Sequence, residues 1–468
     1  MKLTVLHSNR KYTAHIRYIF ECLARTLGAK RVVFSGYEEP APAFSENELV
    51  VSYGPNPPNS PTHIHITEAD LFGGNYLQPE SLPGAPLPCH GDLPILYGKK
   101  PEPGEWIEET ADKITSHIDL VAGIFFLLTR YEELVLTGRD RFGRFSSESS
   151  LLKNAGLLDR PLADEYVDLF CSWAIRLNPG FRKTWEKHRT AFSFYMTHDV
   201  DAPWKYTWKR VLKHPGWRGV SSLLDRKRDP WWTFPAIMEM EKRFGIRSDC
   251  FFLAGGRHPL DRGYSLEHPR LRDLVRELKD RGCGIGIHFS LGAHLSLASS
   301  DSGVEKRGEF ARELTHFIAV TGETAIGSRQ HYLAFRTPET WRRLASLSIP
   351  FDASLGFPEI PGFRCGTCRP FRCFDAERGR DLNIHEIPLI AMDTSLILHM
   401  NLSPEEAFES LLQLFLTVKR SRGVFTFLLH NNYLCEGDYP GWKGLFERFL
   451  RRVREENPVL YRPLFPPV

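Results

Sequence analysis

Phe192-Ser193-Phe194-Tyr195-Met196-Thr197-His198-Asp199-Val200-Asp201 opens as an apolar run and closes in three ionisable side chains. Phe192, Phe194 and Met196 fall on one side of an extended chain, and Ser193, Tyr195 and Thr197 on the other, which is the two-residue period of a strand. Asp199 and Asp201 are two apart, so extended backbone projects both carboxylates to one side. Two such carboxylates repel unless a cation or a proton lies between them. An Asp-rich turn that caps the next helix is the competing reading, and the stretch alone leaves both open.

From residue 191 onward a strand–helix rhythm holds. Strands are expected at 249–253, 284–288, 325–332, 349–354, 384–390 and 424–430. Helices are expected to end at Gly282 and Gly322, to begin at Thr337-Pro338, and to open at the capping box Ser403-Pro404-Glu405-Glu406. With 192–201 this makes seven strands alternating with helices, the pattern of a parallel α/β barrel or a doubly wound sheet. Residues 203–247 and the Cys-bearing loop 356–380 are expected as insertions.

Before this frame, strands are expected at 3–6, 31–34, 49–53 and 95–97, and a helix over 12–27, while 55–88 reads mostly as loop. Ser116 is placed as the cap of a helix through 118–136, and a second helix spans 161–177. Arg130, Glu132, Glu133 and Arg144 read as an ion-pair cluster at a domain junction. The expected division is an α/β domain at 1–115, a helical connector at 116–190, and a barrel at 191–468.

The chain has 468 residues, 42% apolar and 25% charged, in the range of a soluble multidomain protein. A net charge of +3 gives no large field to recruit nucleic acid. The segment 206–232 is the most basic region and reads as a solvated insertion. The apolar run 120–128 is too short to span a bilayer, and residues 1–7 have no apolar core long enough for a signal peptide. Nine cysteines, most of them single in apolar segments, suit a reducing compartment, so a cytoplasmic location is expected. Cys365, Cys368 and Cys373 lack the second pair that a structural zinc needs and read as free thiols.

In parallel α/β folds chemistry gathers at the C-terminal ends of strands. Here those ends carry His198-Asp199-Val200-Asp201, His288 with Ser290 and His294, Arg329-Gln330-His331-Tyr332, Asp352, and His430-Asn431-Asn432. One Asp with two His is a common ligand set for zinc or another divalent transition metal. A free carboxylate beside such a metal can deprotonate a water, and a histidine opposite can protonate a leaving group.

The order of these motifs resembles the polysaccharide deacetylase family, also called carbohydrate esterase family 4 or the NodB-homology fold, over about residues 191–435. Thr197-His198-Asp199-Val200-Asp201 is similar to its Thr-Phe-Asp-Asp-Gly motif. The resemblance implies Asp199 as base and, with Val200 at the usual metal position, Asp201 as metal ligand. His288-Phe289-Ser290-Leu291-Gly292-Ala293-His294 resembles the His-Ser/Thr-x-x-His motif, with the second histidine two residues late. It implies His288 as a ligand; His331, two residues after Arg329 and so on the same side of a strand, is placed ahead of His294 as the third. Arg329-Gln330-His331-Tyr332 resembles Arg-Pro-Pro-Tyr, implying Arg329 as the group that holds the base and the Tyr332 N–H as an oxyanion donor. Asp352 resembles the aspartate that orients the acid histidine, and Leu429-His430 the motif carrying that acid, His430. The N-terminal part, with Phe126–Glu133 and Asp140-x-x-Gly143-Arg144-Phe145, looks like the domain preceding divergent deacetylase-like domains in some bacterial proteins.

The fold expected is therefore a seven-stranded deacetylase-like (β/α) barrel preceded by a smaller α/β domain. The expected activity is metal-dependent removal of an acyl group, acetyl first, from an amide nitrogen of a carbohydrate such as a cytosolic glycan precursor. The metal expected is zinc, with cobalt, nickel, manganese or iron as alternatives. An inactive barrel that binds a glycan or a partner, and a deacylase of a small non-sugar amide, are the other readings.

Overall fold

Short apolar runs near the N-terminus form parallel strands at Lys2–His7, Arg31–Gly36 and Glu48–Gly54. Ile64–Thr67 and Ile114–Ser116 extend this sheet in parallel, and Ile107–Glu109 closes its edge antiparallel. Helix Thr13–Leu27 lays Ile16, Ile19, Phe20 and Leu23 into the core. It stops at Gly28, whose φ of 73° is left-handed. A Cβ there would stand 2.7 Å from His188 Nδ1, so only glycine fits. The computed structural model describes residues 1–37, 48–188, 191–213, 216–261, 263–298 and 308–465.

Several expectations need correction. Ile64–Thr67 lies in the stretch read as loop, because Pro and Asn on its approach obscure four β-forming residues. No strand forms at 95–97; Leu93–Pro94 pairs only with Cys89–His90, and the Leu96 N–H is satisfied by the Tyr166 hydroxyl at 3.0 Å. The helix expected over 118–136 is two helices, Leu120–Leu128 and Tyr131–Val135. Its cap is Asp119, whose Oδ1 accepts from Ala122 N at 2.9 Å, not Ser116. Arg130 breaks the run at φ 54°. Its fully buried guanidinium meets Glu132 and Glu133, each at 2.9 Å. Glu133 also takes Arg364 at 2.9 Å and the Thr337 hydroxyl at 3.1 Å, tying residues 231 and 204 positions away to this corner. The helix expected to start at Thr337 spans Glu339–Ser346.

The second sheet has ten strands. Around strand Ser193–Val200 lie Ser248–Leu253 on one side and Val424–Leu428 on the other. The first side continues through Ile285–Phe289, Ser328–Gln330, Phe351–Asp352 and Arg380–Glu386, all parallel, to an antiparallel edge at Phe371–Asp375. The other side ends at Ala391–Met392, and the tenth strand, Val459–Leu460, pairs in parallel with the start of Ser193–Val200. The strands expected at 325–332, 349–354 and 384–390 are thus shorter or divided. Ile387 N donates to Asp352 O and Leu389 N to Leu355 O, while Ile390 N donates to Thr426 O. One extended run of chain therefore serves both ends of the sheet, which curls. Part of the expected 203–247 insertion is a regular connecting helix, Phe234–Phe244, burying Ile237, Met238 and Met240. Among the described residues no helix is long and apolar enough to cross a membrane.

Candidate functional site

The parallel strands bring the polar residues to one end of the sheet. Strand Ser193–Val200 is buried along its length, and Val200 sits in the main apolar core. The two-residue period then turns Asp199 and Asp201 away from that core together. Asp201, partly exposed, is ringed by imidazoles. His288 Nε2 lies 3.1 Å from its Oδ1, and the Nε2 atoms of His430 and His331 lie 3.4 and 3.7 Å from its Oδ2. Asp201, His288 and His331 offer ligand atoms all within 4.8 Å of one another.

The far nitrogen of each ring is held. His288 Nδ1 faces Arg329 O at 3.1 Å, a carbonyl that can only accept, so Nδ1 donates there and the ring is held with Nε2 toward Asp201. His331 Nδ1 meets Asp261 Oδ1 at 2.7 Å, and His430 Nδ1 meets Asp393 Oδ1 at 2.7 Å. Outer partners that fix ring orientation in this way are the usual company of metal-ligating histidines.

Charge follows from this packing. Burial raises the Asp201 carboxyl, but the His331 and His288 imidazoles outweigh it and hold it well below the usual carboxylate range. Burial lowers His288 and His430, and their carboxylates outweigh it: Asp199 and Asp201 raise His288, and Asp393 with Asp201 raises His430 well above the ordinary imidazole value. Asp199 lies behind this ring, its Oδ2 3.7 Å from His288 Nε2 and its Oδ1 3.8 Å from Arg329 Nε. Asp199 Oδ1 and Asp201 Oδ1 are buried without a hydrogen-bond partner. Arg329 is fully buried and donates through Nη2 to the Thr197 hydroxyl at 3.0 Å.

Two expectations meet a different arrangement. Asp352 does not hold His430; it accepts from Ser328 Oγ at 2.6 Å, Gln330 Nε2 at 3.0 Å and Ser354 N at 2.9 Å, fastening neighbouring strands. The aspartate on His430 is Asp393, whose Oδ2 also accepts His430 N at 2.5 Å. His294 lies outside the cluster, against the 140–145 turn, where its Nε2 is 3.1 Å from the point a Gly143 Cβ would occupy. Burial pushes the His294 imidazole down to about 4.

The position four after His288 is Gly292, and Asp261 fills the space beside it. Asp261 accepts from Leu291 N at 2.9 Å and Gly292 N at 3.0 Å, so one carboxylate caps helix Leu291–Ala298 and holds His331. His198 is structural, bonded to Leu429 O and to Glu241 of helix Phe234–Phe244, both at 2.8 Å. Glu386 accepts from Trp341 Nε1 at 3.0 Å and Leu355 N at 3.0 Å, away from the cluster. Cys365, Cys368 and Cys373 are free and buried, and the Cys368 thiol lies 3.2 Å from Asp164 Oδ2.

A turn from the first part of the chain completes the rim. Asp140 Oδ1 accepts from Phe142 N and Arg144 N at 2.8 and 2.9 Å, which shapes the turn. Arg144 Nη1 then donates to Tyr332 O at 2.7 Å, and the Phe142 ring stacks on Tyr332 at 5.1 Å and 8°. Tyr332, left-handed at φ 60°, lies with its ring 4.1 Å from that of His331.

Residues 4–179 match a family model described as a family of unknown function, DUF7033. No curated protein matches the chain. A solved structure from Mycobacterium smegmatis, assigned as a polysaccharide deacetylase, is 17% identical over 58% of this chain and 87% of its own, with a TM-score of 0.41. One from Pseudomonas aeruginosa PAO1, assigned likewise, is 13% identical over 59% and 89%, with a TM-score of 0.39. A CE4 family pseudoenzyme from Bacillus anthracis is 11% identical over 58% and 64%, with a TM-score of 0.31.

Proposed function

We propose that this chain is a metal-dependent hydrolase that removes an acyl group, acetyl in the first instance, from an amide nitrogen of a carbohydrate. One observation carries the reading. Three imidazoles with anchored Nδ1 atoms turn Nε2 onto Asp201, beside a second buried carboxylate, Asp199, whose Oδ1 has no hydrogen-bond partner. Carboxylate oxygens and imidazole nitrogens converging on one point are the donor set a divalent transition metal takes. Asp201, His288 and His331 would hold the metal, zinc first among the candidates. When bound it would supply Lewis acidity toward a carbonyl and acidify a water.

The protein's own groups divide the remaining work. Asp199 is the base that takes the proton of the attacking water, and Arg329, its Nε 3.8 Å from Asp199 Oδ1, holds that carboxylate in place. His430, its Nδ1 on Asp393, presents Nε2 to the same site and delivers a proton to the departing amine nitrogen. The Tyr332 N–H is assigned to the oxyanion. In this reading the curled sheet acts as a seven-stranded barrel, with 1–115 and 116–190 as a preceding domain and connector.

The test is acetate release from N-acetylated sugars by zinc-loaded protein and by Asp199→Asn. Release by the parent and a loss of at least about a hundredfold in the variant is expected. No release by the metal-loaded parent from any such sugar would leave a binding module or a deacylase of a non-sugar amide.

A further inference from the structure

Five of the ten large apolar side chains exposed among the described residues fall within seventeen positions of the chain. They are Trp208 (66% exposed), Leu212 (79%), Trp217 (77%), Val220 (39%) and Leu224 (78%). All belong to two short helices, Trp208–Lys213 and Trp217–Leu224, inserted directly after the Asp201 strand. Trp208 and Leu212 are four apart, and Trp217, Val220 and Leu224 are three and seven apart, so each set shares a helical face.

The opposite faces are the ones the protein buries. Val211, Gly219 and Ser222 point inward, and a Cβ on Gly219 would stand 2.9 Å from Val211 and 3.3 Å from Tyr206, so the two helices close together there. The base of the hairpin is built, not loose. Buried Asp229 accepts from Lys205 N, Tyr206 N and Trp231 N at 2.7, 3.0 and 3.0 Å and from the Ser222 hydroxyl. Arg226 donates to Tyr206 O at 2.6 Å and covers the Trp204 ring. This firm base turns the tryptophans and leucines outward.

The same segment is strongly cationic. Residues 205–228 hold eight Lys and Arg against one Asp, in a chain whose net charge is only +3. Arg210, Lys213, Arg218, Lys227 and Arg228 are exposed among the apolar side chains. Exposed Trp and Leu faces interleaved with cations match the boundary of a bilayer, where rings and aliphatic chains enter the headgroup region and cations meet anionic lipid. A nucleic acid would use the cations but gives the aliphatic Leu212, Val220 and Leu224 no stacking partner.

We propose that the 205–228 hairpin docks the protein on the surface of a membrane bearing anionic lipid. The base of the hairpin is tied to residues beside the candidate site. Trp231 Nε1 donates to Asp438 Oδ2 at 2.8 Å, Lys205 pairs with the same carboxylate, and Asn431, next to His430, donates to Trp231 O at 2.7 Å. The proposal is independent of the deacylase reading, since binding is read without turnover.

The test is co-sedimentation of the full chain with vesicles of phosphatidylcholine alone and of phosphatidylcholine mixed with phosphatidylglycerol, at two salt concentrations, beside a duplex oligonucleotide. Binding to the anionic vesicles, weaker at high salt, is expected. Trp208→Ala/Trp217→Ala should weaken it at least about tenfold, and Lys213→Ser/Arg218→Ser about fivefold per cation. The targets are exposed, so thermal midpoints should stay at the parent value. No vesicle binding, vesicle binding unchanged in the double tryptophan variant, or binding to the oligonucleotide alone would overturn the proposal.

Discussion

Substituting Asp261 by Asn separates the two carboxylates that stand behind the site histidines. Asp261 holds His331 Nδ1 at 2.7 Å and accepts two helix N–H groups, while Asp393 holds His430 Nδ1 at the same distance. The amide that replaces the Asp261 carboxylate keeps one acceptor oxygen for His331 and turns an NH2 toward the other contact. Losing the charged outer partner of a ligand histidine lowers metal affinity about 10- to 100-fold, or about 1.4 to 2.7 kcal/mol. Losing one of the two bonds to the start of helix Leu291–Ala298 should cost about 1 kcal/mol of stability. Asp393→Asn should leave metal affinity at the parent value and lower kcat by about 100-fold or more, because it disturbs only the proton donor. Competition of each protein against a chromophoric chelator for zinc gives the affinities, and acetate release gives kcat. Unchanged affinity in Asp261→Asn would refute His331 as a ligand. Equal loss of metal in both variants would make His430 a ligand instead of the acid.

Arg144→Ala removes the bond to Tyr332 O and the cation over Phe142, so kcat should fall about tenfold while bound metal, measured in the same sample, is kept. Glu133→Gln leaves buried Arg130 and Arg364 short of a countercharge and should cost about 3 to 5 kcal/mol, read as the shift of a urea unfolding curve. Burial pushes Glu313 up to about 7 despite its two bonds from Ser290. A raised carboxyl contributes stability that is fully present below its unfolded value and lost as pH rises through about 7. Unfolding free energies at about pH 5 and pH 8 should therefore fall by up to about 3 kcal/mol more in the parent than in Glu313→Gln; parallel pH profiles would contradict this.

The residues that converge were largely legible because a strand has a period of two. Asp199 and Asp201 flank Val200, and the Val200 side chain enters the core while its neighbours leave it. His288, Arg329, His331 and His430 were legible for a related reason: parallel strands gather their C-terminal ends. Asp261 and Asp393 were not: Asp261 ends the short 3-10 turn Pro259–Asp261, and Asp393 directly follows the two-residue strand Ala391–Met392, neither of which shows a periodic pattern. The signal available was chemical: a site histidine needs a partner for its second nitrogen, and carboxylates just past strand ends are the candidates. Asp352 draws that role in the sequence through its resemblance to the family's orienting aspartate, but its oxygens are taken by Ser328, Gln330 and Ser354. The break at Arg130 was hidden in an unbroken helical pattern, because its cause is a buried charge cluster completed from Arg364.

Metal content of the purified chain beside Asp201→Ala tests the central claim most directly. The account predicts stoichiometric divalent metal in the parent, as isolated or after reloading with zinc or cobalt, and its loss in the variant with the fold intact. No stoichiometric metal in the reloaded parent, or equal metal in both proteins, would contradict it.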